Sequence, residues 1–200
     1  MATQPFARLG AACGIVFPVG MFLTAGSFGL RGIGLAAVVV FLPFLAYLCS
    51  LLRQAEEEGG WLAQTAFAAG LAGITLKVAS IAPELANRRY HIADGTPLHS
   101  GLQGIADVTT DVSLYPLGVM LAAAAVVIIR SRTLPRWLGY GAALTAVALV
   151  VNGAYNLYDD SGFVPALLLF LLWTLVCGVV LLRRTWRDPA RLAQPRPAAA

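Results

Sequence analysis

Residues 70–82 read GLAGITLKVASIA, an apolar run that holds Lys77, the one lysine of the chain. A charged side chain at the centre of a membrane helix costs about 2.5–3.5 kcal/mol even on insertion scales, so it must be paired, deprotonated or hydrated. Reading this run as a membrane helix decides the fold, and the sequence on both sides agrees with it. Of 200 residues, 58% are hydrophobic and 12% charged, with a mean hydropathy of +0.75. That leaves too little polar surface to cover a water-soluble globule of this size. The net charge of +4 and pI near 9.3 do not indicate a nucleic-acid partner, because the arginines cluster at segment ends and not along one polar face.

Outward from Lys77, the hydropathy pattern predicts an all-α fold, a six-helix transmembrane bundle. About 20 apolar residues are needed to cross roughly 30 Å of hydrocarbon. Runs of that order lie near 9–30, 33–52, 61–82, 110–130, 137–157 and 163–182. The first is longer than the apolar core of a secretory signal and lacks a following small-x-small site, so it is read as a mature span. Gly32 and Gly34 are expected to form a tight connection, Pro43 a mild kink, and Pro83 the stop of the third span. Residues 84–99 are expected to be a polar loop and 189–200 a disordered Pro/Ala tail on a membrane domain of residues 1–188.

Orientation follows from arginine placement. With both termini cytoplasmic, Arg8, Arg53, Arg130, Arg132, Arg136, Arg183, Arg184 and Arg187 lie inside, against Arg31, Arg88 and Arg89 outside. The expected location is therefore the cell membrane, with lipids as partners. Cys13, Cys49 and Cys177 fall in inner halves of spans, where disulfides are not expected, and read as buried thiols.

Depth then selects a site. Lys77 lies about 16 residues into its span, which at about 1.5 Å per residue places it in the outer third. Asp111, entering from outside, reaches the same level, as do Asn152, Tyr155 and Asn156 on the fifth span and Thr24 and Ser27 on the first. Helical spacing aligns Lys77, Ser80 and Glu84 on one face, Asp107 and Asp111 on another, and Asn152, Asn156 and Asp159 on a third. These stripes predict an outward-facing polar pocket between spans one, three, four and five. Asp111 is the expected partner of Lys77, with Asp107 second.

Other constellations carry less. His91 and His99 share a loop with Asp94, but their spacing is not a ligand pattern, and no metal or cofactor is expected. Glu56 to Glu58 reads as a solvated turn. Asp107 and Asp111, one helical turn apart, suit an acid/base pair. No phosphate-binding glycine loop, serine elbow or HExxH is present.

Residues 113–153, SLYPLGVMLAAAAVVIIRSRTLPRWLGYGAALTAVALVVNG, resemble the later half of small uncharacterised six-span integral membrane proteins of high-GC bacteria. In those proteins an apolar helix ends in a basic turn, Leu-Pro-Arg-Trp-Leu-Gly follows, and a further apolar helix begins. The resemblance implies the six-span layout and no activity. Three function classes stay open: a protein binding or moving a small molecule in the outward pocket, a membrane-embedded cyclase, isomerase or hydrolase using Asp107 or Asp111 on a lipophilic substrate, and a non-catalytic regulatory or scaffold subunit.

Overall fold

A computed structural model describes residues 4–25, 31–56, 59–158 and 165–187. Among them all regular structure is helical: α1 (Gln4–Ala25), α2 (Arg31–Ala55), α3 (Trp61–Ala79), α4 (Ile81–Arg89), α5 (Pro97–Ser131), α6 (Arg136–Asn156) and α7 (Pro165–Arg187). Six helical segments are long and apolar enough to cross a membrane, α3 and α4 together forming one of them. The fold is therefore that of a multi-pass membrane protein. The stretches 26–30 and 188–200, which include Ser27 and the expected Pro/Ala tail, lie outside the described residues, as do Glu57, Glu58 and Asp159.

Several boundaries differ from the hydropathy reading, each for a local reason. α1 begins at Gln4, ahead of the expected start near residue 9, where Pro5 suits the first turn of a helix. Gly32 and Gly34 belong to α2 and do not form a connection. Pro83 does not stop the third span: α3 ends at Ala79, and the membrane-length segment continues through α4 to Arg89. Proline lacks the N–H that would bond the carbonyl four residues back, which is Ala79. The chain breaks at Ser80, whose hydroxyl donates to the Lys77 carbonyl at 2.8 Å, and Pro83 enters the first turn of α4. The expected loop thus contains a helix. It ends at Tyr90, and the chain turns through His91 and Gly95, both with positive φ. Thr96 then caps α5, its hydroxyl accepting from the His99 amide at 3.2 Å, with Pro97 in the first turn.

The chain packs as two units. The first comprises residues up to Leu48 and those from Thr174 onward, and holds α1, most of α2 and the later part of α7. Its core is aromatic and aliphatic: Phe17 and Phe41 tilt together with centroids 4.9 Å apart, and Phe41 and Phe44 with centroids 5.7 Å apart. Gly14 and Gly178 let α1 and α7 touch backbone to backbone; a Cβ on Gly178 would lie 2.8 Å from the Gly14 carbonyl carbon. Arg8 sits over the Trp186 ring, 5.5 Å from its centroid.

The second unit, Cys49–Trp173, is organised around α5, which packs along both α3 and α6 and carries α4 on its first turns. At about 1.5 Å per residue the helix is about 52 Å long, well beyond the roughly 30 Å of a hydrocarbon core. Dense burial begins at Asp111 and continues to Ile128. Small residues allow the close contacts. Ala63, Ala66, Gly70 and Gly73 form the buried stripe of α3, and a Cβ on Gly73 would strike the Leu117 side chain at 2.7 Å. On α6, Leu138, Ala142, Thr145, Leu149, Asn152 and Asn156 recur every three to four residues on the buried face. The Trp173 indole donates to the Leu138 carbonyl at 3.0 Å, holding the middle of α7 to the first turn of α6.

Candidate functional site

Consecutive residues of a helix point about 100° apart, since a turn takes about 3.6 residues. α5 uses this at Thr110 and Asp111. The Lys77 ammonium on α3 donates to the Thr110 hydroxyl at 3.1 Å, while Asp111 turns to α6 and accepts from Asn156 Nδ2 at 2.8 Å. From Asn156 the hydrogen bonds continue in one direction. Asn156 Oδ1 accepts from Asn152 Nδ2 at 3.1 Å, and Asn152 Oδ1 accepts from the backbone amide of Ala166 at 3.2 Å. Ala166 lies in the first turn of α7, whose amides have no partner within their own helix. The chain of donors therefore starts at the positive end of α7 and ends on a carboxylate, each bond polarising the next.

The expected partnership between Lys77 and Asp111 is not formed. Among the described residues the lysine makes no ion pair with Asp111, Asp107 or Glu84, although all three carboxylates attract it at longer range, Glu84 most. The physical reason is rotation: the Asp111 side chain faces α6, while its neighbour Thr110 faces α3 and meets the lysine. An ammonium has three donors and a carboxylate several acceptor sites. Lys77 uses one donor on Thr110, and Asp111 accepts from Asn156 alone among the described residues. Both charged groups keep hydrogen-bonding capacity.

The remaining candidates separate by burial. Asn152, Asn156, Asp111 and Ser80 are buried, and Lys77 and Glu84 half-buried. Asp107 is exposed, so the two carboxylates one turn apart on α5 stand in unlike surroundings. Tyr155 is 58% exposed and faces away from its asparagine neighbours. Asp94 approaches His99 Nδ1 at 3.5 Å, and His91 is exposed. Among the described residues no three His, Cys, Asp or Glu side chains gather as a metal site would require. Cys13, Cys49 and Cys177 are buried free thiols.

Comparison with protein-family models, curated proteins and solved structures returns no match to this chain. Its chemistry is read from its own side chains. Two participants escape a search for charged stripes: Thr110, which any helix can bury without comment, and the Ala166 amide, which has no side-chain signature. Glu56 escapes for another reason. Expected in a solvated turn, its carboxylate binds the start of α3, accepting from the Leu62 and Ala63 amides at 3.1 Å each. A carboxylate there satisfies two of the helix's otherwise unpaired amides and suits the helix dipole.

Proposed function

We propose that this is a multi-pass cell-membrane protein, termini cytoplasmic, whose second unit binds a small polar molecule in the outer half of the bilayer. The arginine bias supports the orientation. The observation that carries the binding reading is the separation of Lys77 from Asp111: each charge is steadied by a neutral neighbour, Thr110 or Asn156, in place of the other. Opposite charges in one membrane layer without a mutual contact suit a ligand with an anionic group for the ammonium and a donor for the carboxylate. Asn156 and Asn152 position Asp111, and Ser80 and Glu84 border the lysine.

The test is mass spectrometry of small molecules released on denaturing protein purified in a maltoside detergent. Wild type is expected to release a polar molecule at near-stoichiometric amount, and Lys77→Met and Asp111→Asn to lose it while keeping their thermal midpoints. Reconstitution into liposomes then asks whether that molecule crosses. A wild type that releases nothing distinct from either variant refutes the site.

A scaffold reading has one specific observation in its favour, the capping of α7 by Asn152. It predicts that Asn156→Leu lowers stability and leaves the released molecules unchanged.

A further inference from the structure

A second site lies at the other end of the membrane part of α5. Arg130 is 19 positions beyond Asp111, about 28 Å at about 1.5 Å per residue, so the two mark opposite faces of a bilayer. There a cavity of about 320 Å³ is lined by Glu56, Trp61, Leu62, Val127, Arg130 and Ser131. The size is at the lower end of small-molecule sites.

Its chemistry is two-signed. The Glu56 carboxylate is held in place by the Leu62 and Ala63 amides, and each oxygen retains acceptor capacity beyond those bonds. Arg130 is exposed and makes no ion pair with Glu56 among the described residues, although both line the cavity. Trp61 is 60% exposed at its rim, with the amphipathic ring favoured at a membrane–water boundary. Ser131 adds a hydroxyl that donates to the Val127 carbonyl at 2.7 Å. The walls between are the apolar side chains of Leu62 and Val127.

We infer that this cavity holds the headgroup of a zwitterionic phospholipid that has a primary ammonium, its phosphate on Arg130 and its ammonium on Glu56. Opposite charges that line one cavity without pairing fit a ligand that carries both signs a few atoms apart. Guanidinium suits a phosphate, and a carboxylate bonds a primary ammonium through N–H donors that a quaternary ammonium lacks. The acyl chains of such a lipid would leave along the exposed apolar surface beside Trp61. The assignment is independent of the pocket around Lys77.

Native mass spectrometry of the full chain from maltoside micelles, doped in turn with phosphatidylethanolamine, phosphatidylcholine and phosphatidylglycerol, tests it. Wild type is expected to retain the ethanolamine lipid about tenfold better than the choline lipid, the size of one charge-assisted hydrogen bond. Arg130→Gln, on an exposed side chain, is expected to weaken both lipids alike. Glu56→Gln is expected to abolish the preference, lowering ethanolamine-lipid retention more than choline-lipid retention, which loses only the charge attraction. Equal retention of the two lipids by wild type, or an Arg130→Gln variant that binds both as before, overturns the assignment. Glycerophosphoethanolamine is the control for source. If this soluble headgroup displaces the lipid at equal concentration, the ligand is a free molecule of the same chemistry and the membrane assignment falls; no displacement supports the lipid.

Discussion

The two units of this chain pack their helices with a different emphasis. In the first, α1, α2 and the later part of α7 meet through aromatic rings and glycine backbones, with Gly14 and Gly178 in direct main-chain contact. In the second, glycines meet side chains, Gly73 against Leu117 and Gly118 against Val150, and a run of hydrogen bonds joins α5, α6 and α7. Lipid tails are as apolar as leucine, so neither unit has a hydrophobic drive to bring its helices together. The first unit shows close contacts of shape, and the second adds a run of satisfied polar groups. The two modes fail differently: a shape contact fails by collision, a polar one by leaving an atom without a partner.

The largest effect is expected where collision has no escape. A side chain can rotate away from a new methyl group, but Gly178→Ala would press Cβ onto the Gly14 main chain and the Ala11 carbonyl oxygen, 3.1 Å away. The cost should be about 1–3 kcal/mol, as for overpacked cores. The comparison substitution is Gly104→Ala in α5, where nothing lies within 4 Å. There alanine should raise stability by about 0.4–1 kcal/mol through helix propensity and a less flexible unfolded chain. Thermal unfolding in one detergent reads both signs. If Gly178→Ala is neutral, α1 and α7 do not meet as closely as described.

The second unit should respond less and in another way. Asn156→Leu removes at once the donor to Asp111 Oδ1 and the acceptor of Asn152 Nδ2. Interhelical hydrogen bonds in membranes average about 0.6 kcal/mol and reach about 1.7, so losing two should cost about 1–2 kcal/mol. A loss above 3 kcal/mol would mean that the polar run carries the unit's stability, and the contrast with the glycine-packed unit would disappear.

The contrast also explains what could be read from the sequence. Long apolar runs bounded by arginine and proline give away the six membrane-length segments, because length and hydropathy are properties of consecutive residues. α4 is invisible to that test, being nine residues long with no buried residue. The Glu56 cap is invisible too, since it reaches amides six and seven positions ahead and not the three of a capping box. Depth along a helix follows from its rise, and so Lys77, Asp111, Asn152 and Asn156 could be grouped. Rotation about the helix axis is set by the neighbours. Nothing local to α5 says that Thr110, and not Asp111, turns to the lysine.

The smallest expected effect is the one that separates these readings most sharply. If Lys77 and Asp111 were a buried ion pair serving as architecture, removing either charge would orphan the other, and the double change Lys77→Met with Asp111→Leu would be milder than either single change. In the geometry found, the lysine's contact is Thr110 and the aspartate's is Asn156, so the two substitutions share no bonded partner. Sites without shared partners add to within about 0.3–0.5 kcal/mol, whereas groups in contact couple by about 0.5–3 kcal/mol. The longer-range attraction between the charges is lost only once in the double variant, a coupling expected to be too small to keep that variant from being the least stable of the three. A double variant more stable than Lys77→Met alone would restore the ion pair. It would also remove the spare capacity on which the proposed binding site depends.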